Sequence, residues 1–178
     1  RGWRIGAVRY LNARPLTYGL GDELRLEHPA VLADQLHAGE LDAALVPVVE
    51  VFQHDQYDLV GGVAIAARGE VKSVFLTHRI PLGNLRRVAV TTASRTSVCL
   101  LRVLLAECHG VRPELYPLPA GATLAEHEAM LLIGDEAIRC LVGPRAGDGA
   151  IWDLGQAWWE LTGSPAVFAL WALRPRPD

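Results

Sequence analysis

Short apolar runs alternate along this chain with polar clusters rich in Gly, Pro and hydroxyl residues, and the period of the apolar positions changes from run to run. Residues 5–8 form a brief apolar run that reads as a strand, followed by the loop Tyr10-Leu-Asn-Ala-Arg-Pro15. Pro15 suits the first turn of a short helix reaching Leu20, with Gly21 at its end. Residues 24–27 alternate weakly, as a strand would. Pro29 opens a helix running to Ala38 and Gly39 closes it, the punctuation that fixed φ at the start and free φ at the end make favourable. Residues 43–46 are wholly apolar, which predicts a strand covered on both faces. Pro47 stops that strand, and residues 49–52 predict a helical turn. Residues 59–67 and 71–77 are β-branched and alternating, two strands joined near Gly69.

The segment 80–85, with Pro81, Gly83 and Asn84, reads as a connection between two lobes. A strand at 88–90 then runs into the hydroxyl-rich turn Thr91-Thr-Ala-Ser-Arg-Thr-Ser97. Val98, Leu101, Leu105 and Cys108 fall on one face of a 3.6-residue period, so a helix follows, with Gly110 as its C-cap. Residues 114–118 predict a strand, 119–122 a turn, 124–129 a short helix and 131–133 a buried strand. Residues 136–141 continue as helix or strand, and 143–149 form a loop with three glycines. Residues 152–161 predict a helix capped by Gly163, which places Trp152, Trp158 and Trp159 together, as core residues in preference to a stacking platform. Residues 166–173 are the longest uninterrupted apolar strand, ahead of an extended tail. Strands alternating with helices predict an α/β protein, with a first lobe at 1–79 joined by the returning strand 166–178, and a second lobe at 80–165.

Composition narrows the function. The chain has 178 residues, 51% hydrophobic and 21% charged, with a net charge of −3, a globular balance that argues against a nucleic-acid surface. No apolar run reaches the roughly 18–20 residues of a membrane span. The first residues enter a strand directly, with no signal-peptide pattern, so a cytoplasmic setting is expected. Cys99, Cys108 and Cys140 read as buried free thiols of a reducing compartment. The six histidines show no metal-ligand spacing, so no metal is expected.

The turn at 94–97 carries candidate chemistry. The first turn of a helix leaves N–H groups unpaired and bears partial positive charge. Ser94, Arg95, Thr96 and Ser97 add donors at that place, which suits a carboxylate or phosphate. The plainer alternative is that Ser94 only caps the helix.

Seven stretches in register resemble one family. They are Arg4-Ile-Gly-Ala-Val-Arg-Tyr-Leu-Asn-Ala-Arg-Pro-Leu16, Gly39-Glu-Leu-Asp-Ala-Ala-Leu-Val-Pro47, Ile65-Ala-Ala-Arg-Gly-Glu-Val-Lys-Ser-Val74, Ser94-Arg-Thr-Ser-Val98, Leu132-Ile-Gly-Asp135, Trp152-Asp-Leu-Gly-Gln-Ala-Trp158 and Thr162-Gly-Ser-Pro-Ala-Val-Phe-Ala169. Together they resemble the chorismate dehydratases of menaquinone biosynthesis by the futalosine route. Thr91, Ser164 and Ala166 depart from the family, which usually has Asp, Leu and Phe there. The family also continues past the last strand with helices that return to the first lobe, so the resemblance implies an uncovered apolar face on that lobe.

The resemblance implies a type II periplasmic-binding-protein-like fold, two α/β lobes with a ligand cleft between them and crossovers near 78–85 and 162–167. It implies removal of water from chorismate to give 3-[(1-carboxyvinyl)oxy]benzoate, with no cofactor and no nucleic-acid or membrane partner; a homodimer stays open. Ligands of open α/β sheets bind beyond the carboxyl ends of strands, which selects Asn12, Pro47, residues 94–97 and Asp135. The expected catalytic residues are Asn12 at the departing hydroxyl or the ether, Ser94 at the ring carboxylate and Asp135 as general base; the plainer alternatives are that Asn12 only stabilises the Tyr10–Pro15 loop and that Asp135 only caps a helix. The substrate's own second carboxylate is the alternative base. Tyr10, Pro47, Arg95, Thr96 and Ser97 are expected to bind substrate, with Arg95 turned toward it, to solvent or to an acid such as Asp135. Two other functions remain open: the sister 1,4-dihydroxy-6-naphthoate synthase of the same pathway, and a non-catalytic anion-binding or solute-binding protein.

Overall fold

The computed structural model describes residues 2–21, 24–143 and 149–175. The chain falls into two compact units, residues 1–66 with 93–96 and 167–178, and residues 67–92 with 97–166.

In the first unit, β1 (Ile5–Val8) leads through a 3-10 turn, Leu11–Ala13, into the single-turn helix α1 (Arg14–Thr17). Then come β2 (Arg25–Glu27), α2 (Pro29–His37), β3 (Ala43–Pro47), α3 (Val48–Gln53) and β4 (Asp58–Ala67). In the second unit, β5 (Val74–His78) and β6 (Arg87–Val90) precede α4 (Arg95–His109), whose first two residues group with the first unit. There follow β7 (Glu114–Pro117), β8 (Ala129–Ile133), α5 (Gly134–Val142), β9 (Ala150–Asp153) and α6 (Leu154–Thr162). The chain then returns to the first unit in β10 (Ala166–Leu173).

Each unit is built on a five-stranded sheet, ordered β2-β1-β3-β10-β4 in the first and β7-β6-β8-β5-β9 in the second. β1 runs parallel to β2 and β3, and β10 antiparallel to β3. β6 runs parallel to β7 and β8, and β5 antiparallel to β8 and β9. All five residues of β3 and all five of β8 are buried, the signature of strands covered on both faces. Leu32 and Leu36 of α2 pack with Leu41, Leu45, Val46 and Trp171 in the first core. Phe75, Ala89, Met130 and Leu132 pack with Leu124 in the second. No described helix is long and apolar enough to cross a membrane.

Several elements differ from their sequence patterns. β5, expected in the first lobe, pairs within the second sheet, so the first passage between units falls at 66–67 and not at 78–85. Two alternating strands joined by a Gly look like one hairpin, yet their partners lie elsewhere in the chain. The helix expected to reach Leu20 ends at Thr17, where Gly19 and Gly21 take left-handed φ values of 83° and 76°. Residues 124–129 give only a 3-10 turn at Leu124–Glu126, and Ala129 already pairs in β8. Trp152 lies on β9, opposite Leu76, and not on the helix with Trp158 and Trp159; all three are half-buried. On α4, Leu101, Leu104 and Leu105 are buried while Cys108 is exposed. Position 108 still falls within that stripe, but it lies in the last turn of the helix, next to its final residue His109, where the stripe is no longer covered. The thiols are accordingly not core groups: Cys99 is exposed and Cys140 half-buried. The middle of the glycine loop, 144–148, and the end of the tail, 176–178, lie outside the described residues.

Candidate active site

Among the described residues the buried polar side chains are Glu50, Thr77, Ser94, Thr96 and Ser97. Three of these stand within four residues of one another, at the start of α4. Burying hydroxyls costs free energy unless they are hydrogen-bonded, so this turn concentrates groups that need partners within the protein. Thr96 is 5% and Ser97 2% exposed.

The first unit supplies the frame of that turn. β3 ends at Pro47, whose φ of −54° and missing N–H suit the entry to α3. Pro47 has no side-chain oxygen to cap the helix, so the first amides of α3 look elsewhere. The Val49 N–H donates to Thr96 Oγ1 at 3.4 Å. One residue further, Glu50 is buried at 4% exposure and accepts a hydrogen bond from Arg95 Nη1 at 2.9 Å. Arg95 Nη2 donates to Asp34 Oδ1 of α2 at 2.6 Å. His54 Nε2 stands 4.0 Å from the other Glu50 oxygen. The Arg95 guanidinium is pushed further up from its ordinary pKa, chiefly by its hydrogen bond to Glu50 and next by that to Asp34, with burial opposing.

The remaining expected residues are placed as follows. Tyr10 is half-buried ahead of the 3-10 turn, its hydroxyl 3.4 Å from His28 Nδ1. Asn12 is exposed within that turn. Pro47 is buried, opposite Ala169 of β10. Asp135 is the exposed second residue of α5, in the second unit, and Ile133 occupies the N-cap position there. Arg95 reaches neither solvent alone nor Asp135; two acids of the first unit hold it. Glu50 and Asp34 are the residues that sequence reasoning passed over. The available signal was faint: Glu50 is the lone charged residue in the apolar stretch 43–53. In the second unit a cavity of about 480 Å³ is lined by Thr77, Leu124, Met130, Leu132, Cys140 and Ile151 among others, and none of the expected site residues lines it. Among the described residues no group of three or more His, Cys, Asp or Glu side chains is arranged to hold a metal ion.

Two α/β units, each on a five-stranded mixed sheet, with the chain leaving the first unit after β4, contributing residues 93–96 to it and completing its sheet with β10, define a two-lobe fold of the solute-binding-protein type. The solved structures of similar fold agree. A protein from Archaeoglobus fulgidus superposes with a TM-score of 0.66 at 18% identity, covering 99% of this chain and 69% of that one. The alkanesulfonate-binding protein SsuA from Xanthomonas axonopodis pv. citri, solved bound to MOPS, gives 0.59 at 15% identity over 98% of this chain and 65% of its own. More specifically, the chain belongs to the menaquinone-biosynthesis family, whose profile matches residues 3–177. A chorismate dehydratase from Thermus thermophilus is 36% identical over 192 aligned positions, covering 98% of this chain and 70% of that enzyme.

Proposed function

We propose that this chain is a hydro-lyase that converts chorismate to 3-[(1-carboxyvinyl)oxy]benzoate, acting in the cytoplasm on a free small molecule. The observation that carries the reading is the 36% identity to a chorismate dehydratase across nearly the whole chain. The family match and the buried hydroxyl turn support it.

The reaction breaks the C–H bond at the ring carbon that bears the enolpyruvyl ether. That carbon is vinylogous to the ring carboxylate, so the electron pair left behind spreads into the carboxylate. The neighbouring hydroxyl then leaves with the pair of its C–O bond, the ring becomes aromatic, and proton and hydroxide depart as water. Atoms and electrons balance with no oxidant or reductant. The step is helped most by fixed donors aimed at the carboxylate as its charge grows. In the proposed arrangement Ser94, Thr96, Ser97 and the first amides of α4 are those donors. Tyr10 and Pro47 shape the site. Asn12 hydrogen-bonds the departing hydroxyl or the ether oxygen. Asp135 or the substrate's second carboxylate takes the proton, and a normal rate in Asp135→Asn selects the latter.

The test is incubation of the purified chain with chorismate, followed by ultraviolet absorption and mass spectrometry. The reading predicts an aromatic product lighter by one water. Binding of chorismate without turnover identifies a solute-binding protein instead. Formation of dihydroxynaphthoate from the cyclic futalosine-derived nucleoside identifies the sister enzyme.

A further inference from the structure

We propose that Glu50 is a positioning residue for this site, and that Arg95 is its instrument and not a substrate ligand. The inference rests on the reaction proposed above and adds to it a residue that sequence patterns do not single out.

Both terminal nitrogens of Arg95 are engaged, Nη1 with Glu50 at 2.9 Å and Nη2 with Asp34 at 2.6 Å. Glu50 lies on α3 and Asp34 on α2, so one planar guanidinium ties two helices to the first residue of a third. The next residue, Thr96, makes a second tie to α3 through the Val49 amide. Consecutive residues of the α4 first turn are therefore both fastened to the start of α3. That fixes where the hydroxyls of Ser94, Thr96 and Ser97 and the adjoining amides sit. Donors fixed beforehand need not reorganise when the substrate charge grows, which is the source of their catalytic value.

Geometry argues against Arg95 as a ligand. Both terminal nitrogens are held by carboxylates of the first unit, which aim the guanidinium at α2 and α3. Glu50 also cannot be exchanged cheaply for solvent contact. It is buried, and besides Arg95 the charged or titratable group beside it is His54, at 4.0 Å. Asp34 is mostly exposed and holds Arg95 from the solvent side.

The experiment uses the full chain with chorismate and the variants Glu50→Gln, Asp34→Asn, Arg95→Lys and Arg95→Ala. Glu50→Gln and Arg95→Ala are expected to lower kcat about tenfold or more with KM within about threefold, since they misplace donors that act mainly in the transition state. Arg95→Lys is expected to restore most of kcat, and Asp34→Asn to cost about threefold or less, as exposed pairs contribute little. Joining Glu50→Gln to Arg95→Ala is expected to cost no more than either alone. Wild-type kcat in Glu50→Gln overturns the proposal. So does a large rise in KM confined to Arg95→Ala, which would make Arg95 a direct ligand. Hydrogen exchange of the amides at 94–99 supplies a readout that does not need turnover. Faster exchange there in Glu50→Gln supports the tie even if wild-type protein leaves chorismate unchanged and the proposed reaction fails; unaltered exchange overturns it. Should Glu50→Gln not fold, the comparison of Arg95→Lys with Arg95→Ala carries the same decision.

Discussion

A threonine hydroxyl offers two lone pairs and one hydrogen, and at Thr96 one lone pair already accepts from the Val49 amide. The hydrogen is then left to point along the remaining directions, which turns a freely rotating donor into an oriented one. That is the physical content of the proposal that Thr96 is a preset donor. Thr96→Val keeps the shape and removes both functions. The expected result is a fall in kcat of about 100-fold, the scale seen when one such donor is deleted. A loss of about 1 kcal/mol in stability accompanies it, from the Val49 amide left unmet. Thr96→Ser, which keeps the hydroxyl, is expected to retain most of the rate. Steady-state kinetics on chorismate and a thermal melt of both variants check the two effects separately. A Val variant as fast as wild type removes Thr96 from the set of donors.

At the scale of elements, one junction within the second unit depends on a missing side chain. Asp153 ends β9 and caps α6 by accepting from the Gln156 amide at 3.0 Å. The same carboxylate accepts from Val71 N at 3.0 Å and Lys72 N at 2.7 Å, holding the loop ahead of β5 with Lys72 at a left-handed φ of 58°. Gly155 lets that loop approach. A Cβ built there would sit 2.6 Å from the Gly69 carbonyl oxygen and 3.1 Å from Val71 Cβ. Backbone cannot step aside as a side-chain tip can, so Gly155→Ala is expected to destabilise by about 1–3 kcal/mol. Gly61→Ala, with open space around its Cβ position and no left-handed φ, is expected to be neutral or slightly stabilising. Denaturant unfolding of the two variants side by side tests this, and equal stabilities would contradict the close approach. The junction also shows where sequence reasoning reaches its limit. The α2 helix was legible because Pro29 and Gly39 mark its ends, and β3 and β10 because their apolar runs are unbroken. Trp152 was not, because the strand it belongs to is defined by pairing with β5, far earlier in the chain. In the candidate site the hydroxyl turn was legible from local residue types. The partners of Arg95 were not, since Glu50 and Asp34 stand 45 and 61 residues away and no local period connects them.

For the whole molecule the question is how its apolar surface is disposed, and the first sheet answers differently at its two edges. β2 is a short edge of three residues, Arg25-Leu-Glu27, with a charge at each end. β4, at the other edge, runs for ten residues and carries no charge after Asp58. Leu59 is 49% and Val60 42% exposed, and Val63 is exposed as well. An edge strand presents unpaired N–H and C=O groups, and natural sheets blunt such edges with lysines, prolines or shortness. β4 has no lysine or proline and is long. A long edge whose one charge is its first residue, with Leu59, Val60 and Val63 exposed along it, is the pattern that invites pairing with a second strand. The chain is therefore expected to self-associate with rising concentration, and to do so through β4. Val60→Lys places a charge on that edge without removing a buried group, so its melting temperature should stay near that of the parent, surface changes being worth about 0.5 kcal/mol or less. Light scattering and sedimentation of the two proteins over a concentration series make the comparison. Loss of the associated species in Val60→Lys, at unchanged secondary structure by circular dichroism, assigns association to this edge. Association that persists in the lysine variant places it on another surface, and a parent that stays monomeric at high concentration shows that the two adjacent glycines, Gly61 and Gly62, already make the strand too weak a template for pairing.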